Sequence, residues 1–112
     1  MSVTRVNPEV TVESWTSKPS WLTITAKSGW TIAADEVKRY GNAVYVRGFM
    51  KSASAISANA NLSPFNTNVK PAILVSDVLY GYVASPGDAW ITVDRERNAN
   101  TNIGFTMIGV MA

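Results

Sequence analysis

Apolar and polar positions alternate with a period of two along most of this chain, the pattern of strands that bury one face. The clearest case runs through residues 37–50, where two strand-like runs, 37–40 and 43–50, flank Gly41-Asn42. Glycine at the first central position suits a type II′ turn, whose twist matches that of the paired strands. Beyond the turn Val44 and Val46 fall on one face, and Tyr45, Arg47 and Phe49 on the other. Such a strand can be core on one side and recognition surface on the other. Residues 89–94 alternate as cleanly, with Ala89, Ile91 and Val93 set against Trp90, Thr92 and Asp94. The last run, 103–111, is apolar on both faces. It is therefore expected to be central in a sandwich or packed on a neighbouring subunit.

The remaining elements follow from the same pattern and its interruptions. Residues 10–13 alternate and predict a short first strand, and residues 21–26 hold good strand formers. Ser28-Gly29 breaks that run and Trp30-Thr31-Ile32 resumes it, while residues 33–36 are the one plausible helical turn, too short to be a helix of consequence. A weak strand is expected over 52–62, with Ile56, Ala58, Ala60 and Leu62 on one face. Residues 63–68 read as a loop closed by Pro71, and strands are expected over 72–78 and 80–84. Ser85-Pro86-Gly87-Asp88 is a turn signal with proline at its first corner, and residues 95–102 form a polar loop. Many short strands, turn signals every ten residues or so and no helix predict an all-β fold, an antiparallel barrel or sandwich.

Composition narrows the function. A chain of 112 residues makes one domain, here a lead-in or neck over 1–19 and a β head over 20–112. Hydrophobic residues make up 46% and charged residues only 16%, which argues against disorder and points to a second buried surface, between subunits. The formal net charge of +2, spread along the chain, does not form the basic stripe that a nucleic-acid partner requires. There is no cysteine and no histidine, which excludes disulfides, thiolate nucleophiles, cysteine or histidine zinc sites and Ser-His-Asp triads. The start of the sequence lacks a basic-then-apolar signal pattern, and no apolar run approaches the roughly 20 residues that span a bilayer. No membrane partner is expected.

Several segments in order carry a resemblance. Trp21-Leu22-Thr23-Ile24, Gly29-Trp30-Thr31 and the hairpin Arg39-Tyr40-Gly41-Asn42-Ala43-Val44-Tyr45-Val46-Arg47-Gly48, then Leu62-Ser63-Pro64-Phe65 to Lys70-Pro71 and Ala89-Trp90-Ile91-Thr92-Val93-Asp94, together resemble the C-terminal head domains of tail fibre and baseplate receptor-binding proteins from phages of Gram-positive bacteria. The likeness runs over roughly residues 20–112. It implies a β head, a homotrimer at the tail tip of the virion, that contacts other tail or baseplate proteins and adsorbs to a host cell-wall saccharide. Two loops depart from the family pattern. Arg95-Glu96-Arg97-Asn98 replaces a tight glycine turn, and Asn66-Thr67-Asn68 replaces a tighter proline-rich turn. The matching motif residues carry over as markers of the fold rather than as sugar contacts.

Sugar binding needs flat aromatic faces for the C–H side of a pyranose and planar polar groups for its hydroxyls. Trp90 with Asp94 on one strand face, and Tyr45 with Arg47 on another, supply both. Arg47 and Arg95 can also clamp a phosphate or carboxylate, and Asn66 lies in a candidate contact loop. Each has a plainer reading: Trp90 as an inter-subunit contact, Arg47 as a cross-strand ion pair, Arg95 and Asn66 as solvated loop residues, and Trp21 and Trp30 as core or rim. Glycoside hydrolysis needs two carboxyls at a defined separation. Asp88 and Asp94 are the least implausible pair, and nothing in their spacing marks them. No enzymatic activity, cofactor or metal is expected. The two readings left standing are a saccharide-binding head and a structural trimerisation or docking domain that binds no saccharide.

Overall fold

The computed structural model describes residues 12–111. Ten strands follow one another: β1 (Val12–Trp15), β2 (Ile24–Ala26), β3 (Trp30–Tyr40), β4 (Ala43–Ser52), β5 (Asn61–Leu62), β6 (Phe65–Thr67), β7 (Val69–Val75), β8 (Leu79–Val83), β9 (Ala89–Val93) and β10 (Asn102–Met111). Eight of them form one antiparallel sheet in the order β1-β3-β4-β10-β7-β8-β9-β5, and β2 pairs with β6 in a separate two-stranded sheet. Strands from across the large sheet, including β3, β4, β9 and β10, contribute to one hydrophobic core, so the sheet curls over its own inner face. Its outermost strands, β1 and β5, do not pair with each other. The curl therefore stays open, and the fold is sandwich-like rather than a closed barrel.

The core follows from the period-two pattern. Val44, Val46 and Met50 from β4, Ile103, Phe105 and Met107 from β10, and Ala89, Ile91 and Val93 from β9 are all buried. β10, apolar on both faces, is central between β4 and β7. The hairpin turn keeps Gly41 at φ 59 while Asn42 stays out of the left-handed region, as a type II′ turn requires and a type I′ turn does not.

Several local expectations are corrected. Residues 33–36 form no helical turn: β3 runs unbroken from Trp30 to Tyr40, with a register shift between Ala34 and Glu36. One extra residue, Asp35, bulges there and resets the alternation. Of the run at 10–13, residues 12 and 13 lie in β1, which pairs with β3, and residues 10 and 11 lie outside the described residues. In the run at 21–26 only Ile24–Ala26 is strand. The segment expected as a loop, 63–68, contains β6, whose Phe65 and Thr67 are buried on alternate positions. The expected weak strand over 52–62 is mostly loop, ending in the two residues of β5. Its Ile56 makes an isolated bridge to Arg97. The proline turn is shifted by one residue: the Gly87 N–H donates to the Ala84 carbonyl at 2.7 Å, and Pro86, after a cis peptide bond, sits at the second corner.

Asp88 clasps the small sheet onto the large one. Its Oδ1 accepts from Asn66 Nδ2 of β6 at 3.1 Å and meets Lys27 Nζ, just after β2, at 2.9 Å. The hydrogen bond from Lys27, followed by that from Asn66, holds the Asp88 carboxyl below its ordinary value of 3.8. Asn68 fastens the other side, accepting from the Thr23 N–H and donating to the Trp21 carbonyl.

Candidate functional site

The strand register sorts the outward side chains into rows. One row crosses five strands through directly opposed residues: Tyr45 of β4, Ile108 of β10, Ile73 of β7, Tyr82 of β8 and Trp90 of β9. A second row lies toward the hairpin turn and holds Val12, Tyr40, Ala43 and Val110. Val75 and Tyr80 oppose each other on the far side. Val12, Tyr40, Ile73, Val75, Tyr80, Tyr82, Trp90, Ile108 and Val110 are all exposed, and all nine share this outer face. Its four exposed aromatic rings alone leave roughly 400 Å² in water, already within the ~300–600 Å² of the largest patch on an ordinary monomer.

Two residues further from the turn the chemistry changes. The next row reads Arg47, Thr106, Val75 and Tyr80, and beyond it Phe49 stands opposite Gly104. Gly104 carries no side chain, and a Cβ built there would meet nothing closer than 3.9 Å. The space it leaves is an open groove of about 570 Å³, bordered by Arg47, Phe49, Thr106, Asp35 and Asp77. The β3 bulge is what brings Asp35 here. Gly48 permits the bulge, because a Cβ at that position would run into the Ala33 carbonyl oxygen. Arg47 is paired with its cross-strand neighbour Glu36 at 3.3 Å, yet its side chain remains 61% exposed at the groove edge. One guanidinium, two carboxylates and an aromatic ring thus surround one concavity, a donor–acceptor set suited to a polyhydroxylated ligand.

The six residues singled out from the sequence fall into three neighbourhoods. Arg47 borders the groove. Arg95 and Asp94 stand beside it, since Arg95 Nη2 donates to the Asp77 carbonyl at 3.1 Å while its Nε meets Asp94 Oδ1 at 3.4 Å. Tyr45 belongs to the apolar row, where Lys38 Nζ sits 5.9 Å from its ring centroid. Trp90 is 39% exposed and lines a small cleft with Tyr82, Pro86 and Asp88. Asn66 adjoins that cleft through Asp88, but its amide is engaged in the clasp and it lies in a strand, not a loop. Trp90 and Tyr45 are both accessible, but Trp90 lies in a cleft apart from both Asp94 and Arg47.

Asp35 and Asp77 were missed. A signal for Asp35 existed, the phase break between Ala34 and Val37. Asp77 follows the turn residue Ser76, whose Oγ accepts from the N–H groups of Val78 and Leu79, and its closeness to Arg47 depends on strand order alone. Comparison of the chain with protein-family models, with curated proteins and with solved structures returned no match.

Proposed function

We propose that this chain is the receptor-binding head of a phage tail, a homotrimer that attaches the virion to a cell-wall saccharide of a Gram-positive host and binds it without hydrolysis. Other tail or baseplate proteins would hold it at the tail tip. The observation that carries this reading is the groove over Gly104, where Arg47, Asp35, Asp77 and Phe49 converge. The resemblance of the hairpin and of the Trp90 strand to such heads supports it from the sequence side. Attachment does not require a tight single site, because linked copies raise the avidity of weak contacts by about 10²–10⁴.

The homotrimer rests on the apolar rows of the outer face. Taken with its aliphatic members, that face approaches the ~800 Å² per partner of a stable interface, and a second copy of the chain is the occupant we assign to it. The same rows favour the second reading, a structural domain that trimerises and binds no saccharide. Sedimentation of the purified chain, paired with a pull-down on Gram-positive wall fractions, separates the two. A trimer that binds wall material supports the head; a trimer that binds no envelope fraction leaves the structural domain. A monomer at high concentration removes the second copy from the outer face.

A further inference from the structure

The open end of the curled sheet, where β3 begins and β4 ends, holds a second concavity that Trp90, Asp94, Tyr45, Arg47, Arg95 and Asn66 do not line. Trp30 and Ser52 are register partners there. Together with Ser28, Ser54, Ile56 and Ser57 they border a cleft of about 330 Å³, within the ~300–1,000 Å³ usual for ligand pockets, which occur preferentially in places such as barrel mouths. Among the described residues no ionisable side chain lines it. Trp30 is half-buried and packed against the core, and Ser28, Ser54 and Ser57 are exposed. Ser52 is buried, its Oγ accepting from the Ser54 N–H at 3.1 Å.

The loop that walls this cleft is fastened by backbone bonds over its whole length. Ala53 N–H donates to Gly29, Ile56 and Arg97 exchange two bonds of 2.9 Å, Asn59 N–H donates to Val93, and Asn100 N–H donates to Ser52. Asn59 and Asn100 hold left-handed conformations, φ 66 and 63, that asparagine tolerates. A wall fixed in this way loses little freedom on binding.

We propose that this mouth is a subsite for an uncharged saccharide unit, a hexose or N-acetylhexosamine, stacked on Trp30 and hydrogen-bonded by the serine hydroxyls. The inference rests on the reading of the chain as a saccharide-binding head and adds a ligand class to it. An indole supplies the apolar platform that a pyranose ring needs, hydroxyls both donate and accept, and the absence of charge from the lining selects against anionic units. The outer groove, with Arg47 and two carboxylates, has the opposite character. The mouth also differs in place: it opens at the end of the sheet, whereas Trp90 and Tyr45 lie in the apolar rows assigned to a second copy.

The test is a titration of the isotopically labelled full chain with neutral hexose and N-acetylhexosamine oligosaccharides, followed by amide and indole resonances. The expected result is a shift of the Trp30 indole N–H and of the Ser54 and Ser57 amides at roughly millimolar ligand, unchanged between about 50 and about 500 mM salt because no ion pair contributes. Ser57→Tyr, an exposed position, fills the cleft and is expected to weaken that response at least tenfold while leaving the rest of the spectrum in place. Absence of any response at Trp30 across the oligosaccharides overturns the subsite, as does a response that survives Ser57→Tyr. Binding to wall fractions is measured alongside. Wall binding without a Trp30 response sinks the subsite and spares the head. A Trp30 response without wall binding supports the subsite and sinks wall attachment.

Discussion

Near the Gly41-Asn42 turn, the outer face presents Tyr45, Ile108, Ile73, Tyr82 and Trp90; two residues along the same strands it presents Arg47, Thr106, Val75 and Tyr80, then Phe49 and Gly104. A step of two residues is about 7 Å. Over that distance the surface passes from apolar rows bordered by Lys38 at one end and Asp88 at the other to a groove framed by a guanidinium and two carboxylates. The backbone is shared, so the difference lies in three local devices: the missing side chain of Gly104, the bulge that delivers Asp35, and the Ser76 turn that sets Asp77 beside the groove. One continuous sheet face thus carries an apolar surface and a polar groove without a separate domain for each.

The largest effect on this division is expected from Gly48→Ala. A methyl group there collides with the Ala33 carbonyl, on rigid backbone, and is expected to cost roughly 3 kcal/mol. Urea denaturation measures it, and a variant as stable as the parent would show that Gly48 does not set the bulge. Next comes Ile108→Asp, at the middle of the apolar row. Loss of a central contact and burial of a carboxylate should weaken self-association by at least ~2 kcal/mol, about thirtyfold, read by sedimentation, with monomer stability within about 1 kcal/mol of the parent. If the variant assembles as the parent does, the outer face is not the interface.

Arg47→Ala is expected to act only at the other end. It should lower affinity for wall fractions about tenfold, close to 1.4 kcal/mol, and leave the sedimentation profile unchanged; a change in assembly instead would merge the two ends into one surface. The smallest effect concerns the Asp88 clasp. Because the folded carboxyl titrates below its ordinary value, the stability it adds is complete above about pH 4 and is lost as pH falls through the lower, folded value. Thermal midpoints followed from about pH 6 downward should therefore drop more for the parent than for Asp88→Asn. Parallel curves would dismiss the clasp as a source of acid sensitivity.

The hairpin, β9 and the central position of β10 were legible in the sequence because each alternates against a single core, or is apolar throughout. The failures share a cause. At Asp35 the alternation slips by one, and a bulge then looks like the start of a helical turn. Around Pro64 and Asn66, punctuating residues suggest a loop, while Phe65 and Thr67 bury on alternate positions against elements distant in sequence. Between Ser52 and Leu62 the even spacing of Ile56, Ala58, Ala60 and Leu62 imitates a strand, whereas only Ile56 is fully covered and the backbone bonds go to Gly29, Val93 and Arg97. The groove was half legible. Arg47 and Phe49 share a strand face that the period reveals, but Asp77 reaches them only through the order β4-β10-β7, which depends on pairings between distant segments.

That order also bears on biosynthesis. Of the ten strands in the described residues β10 is made last, yet it stands between β4 and β7 and joins β1-β3-β4 to β7-β8-β9-β5. Until it leaves the ribosome, β4 and β7 each keep an open edge of unpaired amides and carbonyls, the kind of edge that recruits strands from neighbouring chains. Mispairing with neighbouring chains is therefore most hazardous in the interval before β10 has emerged and docked between β4 and β7.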